Sequence, residues 1–218
     1  MSVSELTRAA GNERKRVTTF LLLGVLWALA VCSGMAWLER YSLTAGPVRP
    51  AVLHWPATVL APVSGPSLVM VLHPYCPCSE ASLEELARIL AHSHGPLNVR
   101  LLFYRPIDQP ASWVHTGLWN TALNMRGVQV AEDMDGAAAR QFGLATSGEA
   151  AVYDAHGTLV FRGGITPSRG HAGDNYGADA VEQFVNKGLC PRTRTPVFGC
   201  SVLSGNPARQ FAGIRIQQ

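Results

Sequence analysis

The sequence has no basic stripe and no interleaving of aromatic with basic residues. Its 18 Lys and Arg and 15 Asp and Glu are scattered along 218 residues, for a formal net charge of +3. Nucleic acid is therefore not an expected partner. Five cysteines in a chain of this length fall short of the density of a disulfide scaffold. The glycine-rich stretches match no phosphate-loop pattern, which argues against nucleotide binding. Charge is missing altogether from Val17 to Leu38, and those 22 residues would span roughly 33 Å as a helix, the hydrocarbon thickness of a bilayer.

That uncharged run predicts a transmembrane anchor over residues 17–38. In the polar leader, residues 1–16, Arg8, Arg14, Lys15 and Arg16 outnumber Glu5 and Glu13. The positive-inside rule then keeps the leader cytoplasmic and exports the chain beyond the anchor. A cleaved signal peptide fits less well: Ala28-Leu29-Ala30 resembles a cleavage site only loosely, and eight uncharged residues come after it. A lipoprotein signal ending at Cys32 is weaker still, because Val31 precedes it. Cys32 then reads as a small hydrophobe in the membrane. Residues 39–66 are punctuated by Pro47, Pro50, Pro56, Pro62 and Pro66 and read as a linker onto the domain surface. The rest is one domain of ordinary size, expected over residues 67–187, with a tail over residues 188–218.

The domain is organised around Leu68–Leu90. The apolar run Leu68–Leu72 reads as a strand. A Pro-bounded turn with Cys76 and Cys78 comes next, and then a helix with Leu83, Leu86 and Leu90 on one face and Glu80, Glu84 and Arg88 on the other. Pro77 suits a first helical turn, while Ser79 and Ser82 are both candidate caps, Ser82 and Glu85 having capping-box spacing. Further on, the pattern predicts strands at Asn98–Tyr104 and Gly127–Ala131. It predicts helices at Ser112–Met125, anchored by Trp113 and Trp119, and at Asp135–Phe142. A hairpin joins Ala150–Tyr153 to Thr158–Arg162, and a helix closes the domain at about Ala178–Lys187. This order implies an α/β fold: a small mixed sheet flanked by helices, preceded by one N-terminal transmembrane helix.

Two thiols at a helix start mark a redox site, because the helix N-terminus favours thiolate. The plainer reading makes Cys76 and Cys78 structural. His73 completes H-x-x-C-x-C, so His73, Cys76 and Cys78, with His171 as a fourth ligand, form an alternative soft-metal set for Cu(I) or zinc. Otherwise His73 supports the thiolate. The loop Gly163–Gly177 carries Arg169, His171, Asp174 and Asn175, which either line the thiol site or make local turns on the surface. Cys190 and Cys200 read as a structural disulfide pinning the tail, or one of them resolves a disulfide on Cys76.

The element order and the cysteines at the first domain helix resemble the thioredoxin-like fold, in particular the membrane-anchored, exported branch related to TlpA and ResA. HPYCPCS (73–79), FGLATSGEAAVYDAHG (142–157), GGITPSRGHAGDN (163–175) and TPVFGC (195–200) resemble, more narrowly, bacterial membrane-anchored proteins labelled RedB. The resemblance implies a nucleophilic cysteine at Cys76. It puts Ser79 in place of the usual resolving cysteine, with Cys78 one position early. It also places Gly148, after Thr146 and Ser147, where the fold carries a cis-proline facing the thiols. Without the proline amide a cis bond costs about 3 kcal/mol, so a trans turn is expected.

The implied function is thiol–disulfide exchange by a domain tethered on the periplasmic side of the bacterial inner membrane. Cys76 attacks, Cys78 resolves, and His73 tunes the thiolate, with no cofactor required. The partners are exported protein thiols or disulfides. The alternative is copper or zinc delivery to a metalloprotein client. Thiol peroxidase chemistry ranks lower, because His73 stands where a peroxidatic cysteine usually has Thr three residues before it.

Overall fold

The computed structural model describes residues 3–57 and 64–202, with side chains from Arg14 onward. The ends of the expected leader (residues 1–2) and tail (residues 203–218), and residues 58–63 of the linker, lie outside the described residues. Two compact units result, one ending at Leu43 and the other beginning at Thr44. The first is a helix, α1 (Val3–Ser42). Its stretch Arg14–Ser42 is long and apolar enough to cross a membrane, and none of its most apolar window is buried. The helix thus overruns the uncharged run 17–38 at both ends.

The second unit is a five-stranded sheet of β1 (Ser67–Leu72), β2 (Asn98–Arg105), β3 (Val128–Met134), β4 (Glu149–Tyr153) and β5 (Leu159–Gly164), in the order β3-β2-β1-β4-β5. The first three strands run parallel, while β4 lies antiparallel to β1 and pairs with β5 as a hairpin. Helices α2 (Pro77–His92), α3 (Gly117–Leu123), α4 (Ala137–Gln141) and α5 (Tyr176–Lys187) complete the unit. This is the small mixed sheet flanked by helices that the sequence leads one to expect.

The central strand β1 is buried along its whole length, and alternation splits its side chains between two cores. Leu68, Met70 and Leu72 pack with Leu83, Leu86 and Ile89 of α2 and Ala180 and Val181 of α5. Val69 and Val71 pack on the opposite face with Leu102, Phe142, Leu144 and Tyr153. Each such aliphatic side chain contributes about 1.5–3 kcal/mol on leaving water. The covered sheet fixes the C-terminal end of β1, from which the cysteine turn emerges.

Three local expectations change. The helix expected over Ser112–Met125 is a short 3-10 turn (Ala111–Trp113) followed by α3. Thr116 interrupts it by capping α3, accepting from the Trp119 N–H at 3.5 Å. Neither Ser79 nor Ser82 caps α2: the N-cap is Cys76 with extended backbone, and Pro77 takes the first helical position. Glu85, read as part of a capping box, is instead buried.

The segments flanking residues 67–187 are bonded to the domain. Upstream, Gly46 N donates to Val197 O and Trp55 N to Gly157 O, both at 2.8 Å, and Leu53 O accepts from Leu159 N at 2.9 Å. Downstream, the chain from Thr193 runs beside β5 in a parallel bridge between Arg162 and Arg194. Arg162 fastens several of these pieces. Its buried guanidinium pairs with Glu149 at 2.7 Å and donates to Arg49 O at 2.9 Å and to Gly143 O at 2.5 Å. Its backbone bonds the tail at Thr193 O (3.0 Å) and Thr195 N (3.3 Å). Glu149 in turn accepts from the Ala145 and Thr146 N–H groups at 2.7 and 3.2 Å, which shapes the loop facing the cysteines.

Candidate active site

Cys76 sits where β1 hands over to α2, and its N–H donates to His73 O at 3.1 Å. Its sulfur accepts the thiol hydrogens of Cys200 and Cys78, and also the backbone N–H groups of those two residues. These donors hold the Cys76 thiol well below its ordinary pKa, against a smaller opposing effect of burial. The donors shift the other way. Cys78 is pushed up by its bond to Cys76, then by burial and the Cys76 charge. Cys200 is pushed up by the same causes, with Arg169 partly offsetting them. Among the three neighbouring thiols, this bonding favours the charged form at Cys76 over Cys78 and Cys200. All four domain cysteines are unbridged in this state.

Ser79, in the resolving-cysteine position, is a structural tie. Its hydroxyl donates to His73 O at 2.8 Å and accepts from His73 N at 2.9 Å. It also lies 2.5 Å from the Ser147 hydroxyl, which itself accepts from His73 N at 3.2 Å. The pair of hydroxyls joins the start of α2 to the loop before β4. In that loop Gly148, with φ +83°, donates its N–H to Val71 O at 2.8 Å, and no cis peptide bond occurs among the described residues. A Cβ on Gly148 would overlap the Ser82 hydroxyl. The turn is trans, as expected, and it needs glycine both for its backbone and for its closeness to α2.

His73 is buried among aromatic rings: Tyr104 stacks at 5.9 Å, and Trp113 and Tyr75 stand edge-on at 5.6 and 6.2 Å. Burial lowers its pKa, opposed by the Cys76 charge. Its Nδ1 accepts from Tyr75 N at 3.2 Å, which assigns the proton of the neutral ring to Nε2.

The glycine-rich loop divides in its roles. Its N-terminal half reaches the thiols: the Gly170 N–H bonds Cys78, and Arg169 donates to Gly199 O at 2.6 Å and Thr44 O at 3.2 Å. His171 is exposed, its Nδ1 2.7 Å from Arg169 O. Asp174, fully exposed, meets Arg88 at 3.4 Å, and Asn175 caps α5 through Ala178 N at 2.8 Å. Buried Glu85 anchors the loop, accepting from Gly173 N at 2.6 Å and Arg88 at 3.0 Å. Thr146 donates its hydroxyl to Pro47 O at 2.7 Å.

The structure does not assemble the proposed metal ligands. Among the described residues no three His, Cys, Asp or Glu side chains are grouped to hold a metal ion, so His73, Cys76, Cys78 and His171 do not form a set. Nor are Cys190 and Cys200 bridged: Cys190 donates to Arg192 O at 3.1 Å, while Cys200 lies against Cys76. Sequence reasoning missed Glu85, Glu149 and Arg162 as the supports of the site. Cys76 is only 4% exposed, and a groove of about 680 Å³ leads up to it, lined by Tyr75, Pro77, Glu80, Glu84, Leu118 and Met125 among others.

No protein-family model matches the sequence, and no curated protein matches it. Among solved structures, the chain is similar to an uncharacterized conserved protein from Geobacillus kaustophilus, at 16% identity and TM-score 0.53 over 73% of this chain and 91% of that one. A hypothetical protein from Sinorhizobium meliloti 1021 gives 18% identity and TM-score 0.49 over 76% and 97%. A secreted Mycobacterium tuberculosis disulfide oxidoreductase homologous to E. coli DsbE gives 16% and 0.35 over 44% and 66%. At such identities likeness speaks for the fold alone, and the Geobacillus protein shares it across nearly its whole length.

Proposed function

We propose that this chain is a thiol–disulfide exchange protein of the membrane-anchored, TlpA- and ResA-related branch, close to the proteins labelled RedB. Its helix α1 is the anchor in a bacterial inner membrane, and its domain works on the exported side. The observation that carries this reading is the convergence of thiol and backbone N–H donors on Cys76, an arrangement that stabilises a nucleophilic thiolate.

The Cys76 thiolate attacks one sulfur of a partner disulfide, forming a mixed disulfide and expelling the partner's other sulfur as a thiolate. A second thiol of this chain then attacks the Cys76 sulfur and releases the partner as a dithiol. Two electrons pass from the chain to the partner, and the same steps reversed oxidise a partner dithiol. Both Cys78 and Cys200 are close enough to be that second thiol.

In a disulfide-reduction assay, Cys76→Ser should abolish turnover. Full activity in that variant, or purified protein with free thiols and one bound copper or zinc ion per chain, would overturn this reading.

A further inference from the structure

The tail from Thr193 to Val202 is a fitted part of the domain. Beyond its bonds to Arg162, it accepts from Gly164 N at Pro196 O (3.3 Å) and from Gly46 N at Val197 O (2.8 Å). It then turns along the loop that faces the cysteines. Ser147 N donates to Cys200 O and Val202 N to Ala145 O, both at 2.8 Å, in an antiparallel bridge between Thr146 and Ser201. Val197 and Val202, on either side of Cys200, are buried.

Glycines on both sides permit this closeness. A Cβ on Gly163 would overlap Thr195, and one on Gly199 would overlap Ser147 O. The tail lies along the loop backbone as an added strand does, and it brings the Cys200 sulfur within hydrogen-bonding distance of Cys76.

From this docking we infer that Cys200, and not Cys78, is the second thiol of the exchange reaction, and that the oxidised protein carries a Cys76–Cys200 disulfide. The inference rests on the exchange reading above. Cys78 is a poor partner for closure because it shares the first turn of α2 with Cys76, separated only by Pro77, whose φ is fixed. A bond across that one residue must distort the turn, including the 2.9 Å bond from Ser79 N to Cys76 O. Cys200 arrives on a separate segment and can adjust without disturbing the helix. Cys78 serves as a hydrogen-bond donor to the thiolate and as the contact of the Gly170 loop.

Once Cys76 holds a partner in a mixed disulfide, Cys200 loses its proton to solvent, and Arg169 beside it favours the resulting thiolate. The Cys200 sulfur attacks Cys76, the bond from Cys76 to the partner breaks, and the electron pair leaves with the partner's sulfur, which takes up a proton. A dithiol donor reduces the Cys76–Cys200 bond in the next half-cycle.

The test uses the full chain in detergent micelles, oxidised with glutathione disulfide, quenched in acid, alkylated and mapped without reduction by mass spectrometry. Wild type should yield a Cys76–Cys200 linkage. Cys200→Ser should instead retain glutathione on Cys76 for about tenfold longer or more, since no intramolecular thiol resolves it, and Cys78→Ser should still form the Cys76–Cys200 linkage. A Cys76–Cys78 linkage in wild type, or resolution at the wild-type rate in Cys200→Ser, would overturn the assignment while leaving exchange intact. Failure of wild-type Cys76 to react with glutathione disulfide at all would overturn both.

Discussion

Replacing Gly199 with alanine separates a docked tail from a loose one. The φ of Gly199 is not in the left-handed region, so alanine is unstrained in a free tail. Only docking makes it costly, because the new Cβ would overlap Ser147 O and come within 3.0 Å of Thr146 Cγ2. Restoring an ordinary separation of about 3.5 Å pulls the segments more than an ångström apart. The bonds at Ser147 N and Val202 N, now 2.8 Å, would then exceed hydrogen-bonding distance. Losing them costs about 1 kcal/mol each, and exposing Val202 costs about 1.5 kcal/mol more. The sum is about 3.5 kcal/mol, so the ratio of docked to free tail should fall roughly three-hundredfold. Hydrogen exchange on the full chain reads this as faster exchange at the Ser147 and Val202 amides, with the β1 amides unchanged. Wild-type protection at both amides in Gly199→Ala would refute the docking on which the role of Cys200 depends.

The remaining predictions concern charge and support. Cys78→Ala removes a donor to the thiolate, worth about 1.5 kcal/mol, so the Cys76 pKa should rise by about one unit. The pH dependence of alkylation measures this, and an unmoved profile would contradict the donor role. Glu149→Gln leaves Arg162 buried opposite an uncharged group. Breaking such a pair costs about 3–5 kcal/mol, to be seen in urea denaturation, and a loss under 1 kcal/mol would show the pair to be solvated. Because burial lowers the His73 pKa, its contribution to stability is present above the ordinary imidazole value of about 6.5 and is lost as pH falls through the folded value. His73→Gln should therefore weaken the acid sensitivity of the urea midpoint, and identical slopes for variant and wild type would show that His73 is not the titrating group.

The fold was legible wherever a period was unbroken. Leu68–Leu72, the hairpin and the closing helix all fall within a few residues of β1, β4–β5 and α5, because alternation and helical spacing report which faces are covered. Thr116 hid a helix start inside an apparently continuous helical pattern, since a cap depends on one side-chain bond and not on periodicity. Cys76 and Cys78 were legible as a candidate thiol site from local features, the strand end, Pro77 and the apolar face of α2, while the choice of Cys76 as nucleophile came only through the resemblance. Whether Cys190 or Cys200 would meet Cys76 stayed open in the sequence, because that depends on the docking of a segment with little periodicity of its own. Glu149 and Arg162 were invisible for a related reason. Each is a charged residue at a strand position, and only the assembled sheet shows that they satisfy each other.

Arg162 also limits how the protein can be trimmed. One side chain and its own backbone hold the segment at Arg49, the loop at Gly143 and the tail at Thr193 and Thr195. A fragment cut to the sheet and helices alone, residues 67–187, would keep every strand and still leave this guanidinium short of Arg49 and its backbone short of the tail. A piece that preserves the thiol site therefore keeps the chain from Thr44 at least through Val202, and shortening either end should weaken the other.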